Sequence, residues 1–289
     1  MKIIEPSVEL WEQKNAIDHV ARCARVCYKS EKETGNERLV ENLKKSNHLS
    51  MFRHESIYAI ISKKDVNSIL LDILSHFVEC PYIDWNTYAD DIYIATNGNF
   101  MLDLLSRAET DFDSRKLYLA ITNHQVDVLQ FANTETGFHL MRYTFKITTQ
   151  ISTSRELNRV SPNSISEQST RYVLEDGSIC RPWWLDKEDA KKYNKSDINI
   201  PNNVSIYTGT CEYGFIGYRL LFKIGMLRED IRGVLPLDTA TVCVYTYSIK
   251  EWREILRKRL YHETGKAHKN CVIICKMIRD ELNELGYEL

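Results

Sequence analysis

Between residues 138 and 151 the apolar side chains Leu140, Tyr143, Phe145, Ile147 and Ile151 fall mostly at alternate positions, the spacing of a strand with one face in a core. Directly after it, Thr153 or Ser154 is placed to cap a short helix over 155–160. Pro162 should end that helix, because the residue before a proline is pushed out of the helical region. The remaining periodicity is largely helical. Residues 14–29 carry Ala16, Val20, Ala21, Ala24 and Cys27 on one face, and residues 64–80 carry Val66, Ile69, Leu70, Ile73, Leu74 and Phe77. Further helices are expected at 37–45, 113–132, 209–232 (with Gly209 near its start), 250–260 and 266–285, and strands at 57–62 and 242–246. Helices and strands mix without strict alternation, so the chain reads as α+β and not as a doubly wound sheet.

The 289 residues carry 11 glycines and 6 prolines, with no repeat, low-complexity tract or flexible linker. At 43% hydrophobic and 27% charged residues, the composition is that of an ordinary globular protein. A net charge of −2 supplies no basic field for duplex nucleic acid. No apolar run reaches the ~20 residues of a membrane helix. Met1-Lys2-Ile3-Ile4-Glu5-Pro6 lacks a signal-peptide core, so a cytoplasmic location is expected. Cys23/Cys27 and Cys271/Cys275 are each four apart and share a helix face with apolar neighbours. They read as buried free thiols; no metal site and no disulfide is expected.

Ser166-Glu167-Gln168-Ser169-Thr170-Arg171-Tyr172 concentrates a carboxylate, an amide, hydroxyls and a guanidinium. Forked charged donors beside hydroxyls and free backbone N–H groups suit a phosphate, and the carboxylate and amide could orient a sugar hydroxyl. An ordinary polar loop is the competing reading. Arg259 lies four positions after Ile255 and seven after Trp252, on the apolar stripe of its helix. There it must be paired, bound to a ligand, or extended past the helix end into water. Glu229 and Arg232 are three apart, as in a surface ion pair or a binding cluster. His48 and His54 flank Ser50-Met51-Phe52 and can be structural or catalytic.

Taken in order, several of these segments resemble the flavin-dependent thymidylate synthases. That family carries R-H-R, seven residues, then S-x-R-Y; here Arg159-Val160-Ser161 is followed by seven residues and Ser169-Thr170-Arg171-Tyr172. Arg155-Glu156-Leu157-Asn158 is similar to H-E-L-V, and Cys27-Tyr28-Lys29-Ser30 to C-Y-x-S. Asn47 through His54 resembles G-H-x-S-x-x-E-H, Ile92 through Asn97 a Y-I-S-G-N segment, and Arg228 through Pro236 R-E-x-A-R-x-x-L-P. The matches run over residues ~20–270.

The resemblance implies a single α+β domain over 1–289, with a central mostly antiparallel sheet flanked by long helices and a helical insert at about 64–137. It implies reductive methylation of dUMP, or a related pyrimidine nucleotide, to dTMP, with FAD, NADPH and methylenetetrahydrofolate, in a homotetramer whose sites lie between subunits. Carried over by position, Glu156, Glu167, Gln168, Ser169, Arg171, Glu229, Arg232 and Arg259 would bind the nucleotide. Arg259 would polarise the pyrimidine carbonyl and Ser169 would hold the phosphate, the two positions expected to act in catalysis. His48, Ser50, Arg159, Ser161, Ser248 and Lys250 would face the flavin.

The flavin side departs from the family. Val160 and Ser161 replace a histidine and an arginine, Arg53 replaces a glutamate, Asn99 stands where an arginine is expected, and Ser248 and Lys250 replace an asparagine–arginine pair. Reduced FAD affinity is the expectation, with Arg53 and Arg155 available to pair with the pyrophosphate. Three readings therefore stay open: a divergent thymidylate synthase, another flavin-using or C5-modifying enzyme on a pyrimidine nucleotide, and a nucleotide-binding protein that has lost the flavin.

Overall fold

The long alternating segment becomes the second strand of a four-stranded antiparallel sheet. In a computed structural model, which describes residues 1–30, 34–64, 69–161 and 164–289, the strands are β1 (Lys2–Ile4), β2 (Ser7–Trp11), β3 (Ser56–Ser62), β4 (Ile83–Tyr88), β5 (Asp91–Asn97), β6 (Arg142–Gln150), β7 (Ile165–Glu167), β8 (Ser178–Cys180) and β9 (Ala240–Ser248). The α-helices are α1 (Ala16–Val26), α2 (Asn36–Lys45), α3 (Ile69–Ser75), α4 (Gly98–Arg107), α5 (Phe112–Asn123), α6 (Val128–Ala132), α7 (Glu135–His139), α8 (Ile151–Asn158), α9 (Lys187–Asn194), α10 (Asn202–Lys223), α11 (Arg228–Ile231), α12 (Ile249–Arg259) and α13 (Lys269–Glu284).

The central sheet has the order β2-β6-β9-β7. Arg142 stands opposite Ser248 and Gln150 opposite Ala240 in its longest pairing. Alternation along the strands sends Phe145, Ile147, Cys243, Tyr245 and Tyr247 to one face, where Trp252, Ile255 and Leu256 of α12 and Ile274 and Ile278 of α13 cover them. Val244 faces the other way and packs with Trp11 and with Cys23 and Val26 of α1. A second antiparallel sheet, β3-β5-β4, has its own core with α3, α4 and α5. β1 and β8 form a short parallel pair. The fold is therefore α+β with a central antiparallel sheet flanked by helices.

Local chemistry moves several expected boundaries. The alternating strand starts at Arg142, because Thr134 caps a short helix before it by accepting from the Gly137 N–H at 3.0 Å. The expected helix over 113–132 is two helices. Between them residues 124–126 run beside β3, with Val126 N–H donating to the Tyr58 carbonyl at 3.0 Å. α8 starts at Ile151 straight out of β6, with Gln150 as its N-cap, so Thr153 and Ser154 lie inside the helix instead of capping it. α10 begins at Asn202 and stops at Lys223, where Gly225 turns the chain at φ +95°. The stretch expected as a helical insert also carries β4 and β5, a hairpin turned by Ala89 at φ +49°. Pro162 and part of the helix expected over 64–80 lie outside the described residues. Among the described residues, no helix is long and apolar enough to cross a membrane.

Candidate active site

The β6–α8 junction supplies one wall of the site. Ser154 and Asn158 lie on the face of α8 that meets β7: the Ser154 hydroxyl donates to Glu167 Oε1 at 2.7 Å and Asn158 Nδ2 approaches Oε2 at 3.4 Å. Thr241 Oγ1 adds a third donor at 3.3 Å. Arg155, Glu156 and Arg159 therefore project elsewhere, into a cavity of about 670 Å³. α12 supplies the opposite wall. Ser248 starts it with a capping box, its backbone N–H donating to Glu251 Oε2 at 2.7 Å and its hydroxyl accepting from Glu251 N–H at 3.3 Å. At its C-terminal end the helix presents Lys258 and Arg259 to the same cavity.

Arg259 donates from both Nε and Nη2 to the Glu156 backbone carbonyl, at 3.2 Å each. The Glu156 carboxylate lies 4.0 Å from Nε and accepts from the His268 N–H at 3.2 Å. The guanidinium on the apolar stripe is thus paired on one edge and keeps its remaining donors for the cavity. Arg155, Arg159, Lys258 and Arg259 line this cavity together with the Glu156 carboxylate, and Lys258 is paired with Glu254 of its own helix at 2.8 Å.

Two smaller cavities adjoin it. One, of about 440 Å³, shares Arg159, Val160 and Lys258 and adds Ser161, Lys250 and Glu251. The Ser161 hydroxyl is hydrogen-bonded to the Tyr247 hydroxyl. Lys250 lies 3.9 Å from Asp84 and is exposed. Burial pushes the Glu251 carboxyl above its ordinary range, against the nearby Arg142 charge. The other, of about 370 Å³, shares Ser152 and Glu156 and adds Trp184, Asp238, His268 and Asn270.

Of the sequence-predicted residues, Glu156, Arg159 and Arg259 meet at the main cavity, with Ser161 and Lys250 beside it. Ser248 is buried as a helix cap. His48 and Ser50 are exposed around the 3-10 turn Leu49–His54. Ser169, Arg171 and Glu229 form a separate patch. Arg171 donates to Glu229 Oε2 from Nε at 3.0 Å and from Nη2 at 2.7 Å. Ser169 Oγ accepts from the Arg171 N–H at 3.2 Å. Arg232 is exposed without a side-chain hydrogen bond among the described residues. Glu167 is held by α8, as described above. Gln168 sits on the α1 side of the sheet, its amide nitrogen 3.4 Å from both oxygens of buried Glu175. Burial raises that carboxyl to about 7, opposed by the Gln168 hydrogen bond and Lys29. Sequence reasoning missed Lys258, Trp184, Asp238 and His268. The signals available were the i, i+4 repeat of Arg155 and Arg159 and the adjacent Lys258-Arg259 pair, both on cavity-facing helix ends.

Residues 107–285 match the Thy1 family, thymidylate synthase complementing protein. The chain belongs to this family. The matched Thy1 region contains α8, α12 and every lining residue of the main cavity. No curated protein sequence matches the chain. Among solved structures it is similar to a UMP/dUMP methylase, PolB, from Streptomyces cacaoi, bound with 5-Br dUMP (16% identity, 99% of this chain and 93% of that one, TM-score 0.43). The same enzyme bound with 5-Br UMP is similar at 16% identity over 98% of this chain and 92% of that one, with a TM-score of 0.44.

Proposed function

We propose that this Thy1 protein methylates dUMP to dTMP with FAD, NADPH and methylenetetrahydrofolate. The observation that carries the proposal is the main cavity: Arg155, Arg159 and Arg259 beside the Glu156 carboxylate, with Lys258, paired with Glu254, at the same wall, in a member of this family. The donor set fits a diphosphate by charge and by the forked geometry of two arginines on successive turns of α8. Arg155, Arg159 and Lys258 would hold the FAD diphosphate, and Val160 offers an apolar contact beside them. Bound flavin supplies the hydride chemistry that no protein side chain can. Arg259, fixed on one edge by the Glu156 carbonyl, would aim its free donors at the pyrimidine oxygen where negative charge develops. Glu156 would keep that guanidinium oriented.

Ser169 and Arg171 do not line these cavities, so their proposed phosphate role calls for a second copy of the chain. We take the assembly to be a homotetramer. Its support is the outer face of α10, where Ile206, Tyr213, Ile216 and Leu220 follow helical spacing and are 48–78% exposed. We treat residues 1–289 as one domain, because buried His54 and Tyr58 tie the second sheet region to Thr246 and Arg142 of the central sheet.

A second reading, nucleotide binding without flavin, is favoured by Val160 at the wall of both larger cavities, where no hydrogen bond can form. The test is conversion of dUMP in the presence of FAD, NADPH and methylenetetrahydrofolate, followed by chromatography of the nucleotides. dTMP formation that Arg259→Ala abolishes supports the proposal. Nucleotide binding without product supports the second reading.

A further inference from the structure

On the α1 side of the central sheet, opposite the candidate active site, lies a cavity of about 600 Å³ walled by Trp11, Arg22, Val26, Lys146, Gln168 and Val242. Strand alternation keeps it separate: Val242 points toward α1, while Cys243 and Tyr245 point toward α12 and α13. The size is that of a small-molecule site, and its cations are individually accounted for. Glu9 fixes the floor by accepting from Trp11 Nε1 at 3.3 Å and from Lys146 Nζ at 3.0 Å. Lys29 is paired with Asp176 at 2.7 Å. Arg25 donates to the Thr34 carbonyl at 3.0 Å and to Asn36, whose amide in turn occupies Asp18 at 2.6 Å.

Arg22 is different. Its guanidinium lies 3.5 Å over the Trp11 ring, close enough to help lower the Glu9 carboxyl, and makes no ion pair or hydrogen bond among the described residues. Stacking holds the fork in one plane and leaves its edge donors free, the arrangement that binds phosphate or carboxylate in two-point fashion. Val26 and Val242 give an apolar wall beside it.

We propose that this cavity is a second ligand site, which takes a small organic anion whose phosphate or carboxylate meets Arg22 and whose flat apolar body lies against Val26 and Val242. The probe is 8-anilinonaphthalene-1-sulfonate, an anion on an aromatic body, titrated by fluorescence into the full chain with saturating dUMP present. The expected result is one saturable site per chain, weakened at least tenfold by Arg22→Ala and several-fold by Arg22→Lys, which keeps the charge but loses the planar fork. Both variants should bind dUMP as the wild type does. Displacement of the probe by phenyl phosphate or by benzoate distinguishes a phosphate ligand from a carboxylate one. The proposal is overturned if Arg22→Lys and Arg22→Ala leave the titration unchanged, if dUMP removes the signal, or if neither anion displaces the probe.

Discussion

Lowering the pH from 6.5 to 5 should destabilise this protein through two imidazoles that cannot accept a proton while folded. His19 Nε2, Thr144 Oγ1, Thr246 Oγ1, His54 and Ser166 Oγ form a buried hydrogen-bonded row, at 3.1, 2.7, 2.8 and 2.9 Å in turn. Burial, then neighbouring positive charge (Arg22 at His19; His19, Arg142 and Arg53 at His54), lowers the His19 imidazole from 6.5 to about 4 and that of His54 to about 3. The unfolded chain takes up these protons below pH 6.5 and the folded chain does not, so stability is lost as pH falls, at about 1.4 kcal/mol per pH unit for each histidine. Glu175 works in the opposite direction. Its folded value of about 7 lies above the ordinary 4.5, so folding is favoured as pH falls through the same interval. Between pH 6.5 and 5 the histidines cost about 3.2 kcal/mol together and Glu175 returns about 1.7, leaving a net loss of about 1.5 kcal/mol. Guanidinium denaturation followed by circular dichroism at several pH values measures this. His54→Gln keeps an amide where Nε2 meets Ser166 but cannot titrate, so its stability should be nearly flat across the interval, whatever its absolute value. An unchanged pH slope in that variant refutes the reasoning.

The same balance makes Glu175→Gln steeper: without the carboxyl's contribution, the loss between pH 6.5 and 5 should grow to about 3 kcal/mol in the same denaturation series. Ser248→Ala removes both the hydroxyl that caps α12 and its place in the capping box with Glu251, and should lower stability by about 1 kcal/mol, read as a fall in melting temperature. A loss of FAD affinity with unchanged melting temperature would instead restore Ser248 to the flavin site.

The helices over 36–45, 249–259 and 269–284 were legible because each shows an apolar stripe of the right period. β1, β7 and β8 were not, being three residues each. β7 lies inside the polar cluster, where Ser166 faces His54 and Glu167 faces Ser154, so its two buried faces are satisfied by hydrogen bonds and carry no hydrophobic pattern. The charged groups that meet at the main cavity were readable one by one. Their grouping was not, since Arg259 reaches the Glu156 carbonyl across 103 residues of chain. Ser248-Ile249-Lys250-Glu251 is the opposite case, a local signal that needs no tertiary contact. Its S-x-x-E pattern is a capping box readable from the sequence alone, and the structure forms it.

The proposed role of the main cavity is tested most directly by titrating the protein into FAD and following quenching of the flavin fluorescence, for the wild type and for Arg159→Ala. Each charge-assisted hydrogen bond to a diphosphate contributes about 1.5–3 kcal/mol, so the account predicts saturable quenching by the wild type and affinity weakened at least tenfold in the variant. Absence of quenching by the wild type, or equal affinity in the two proteins, contradicts it.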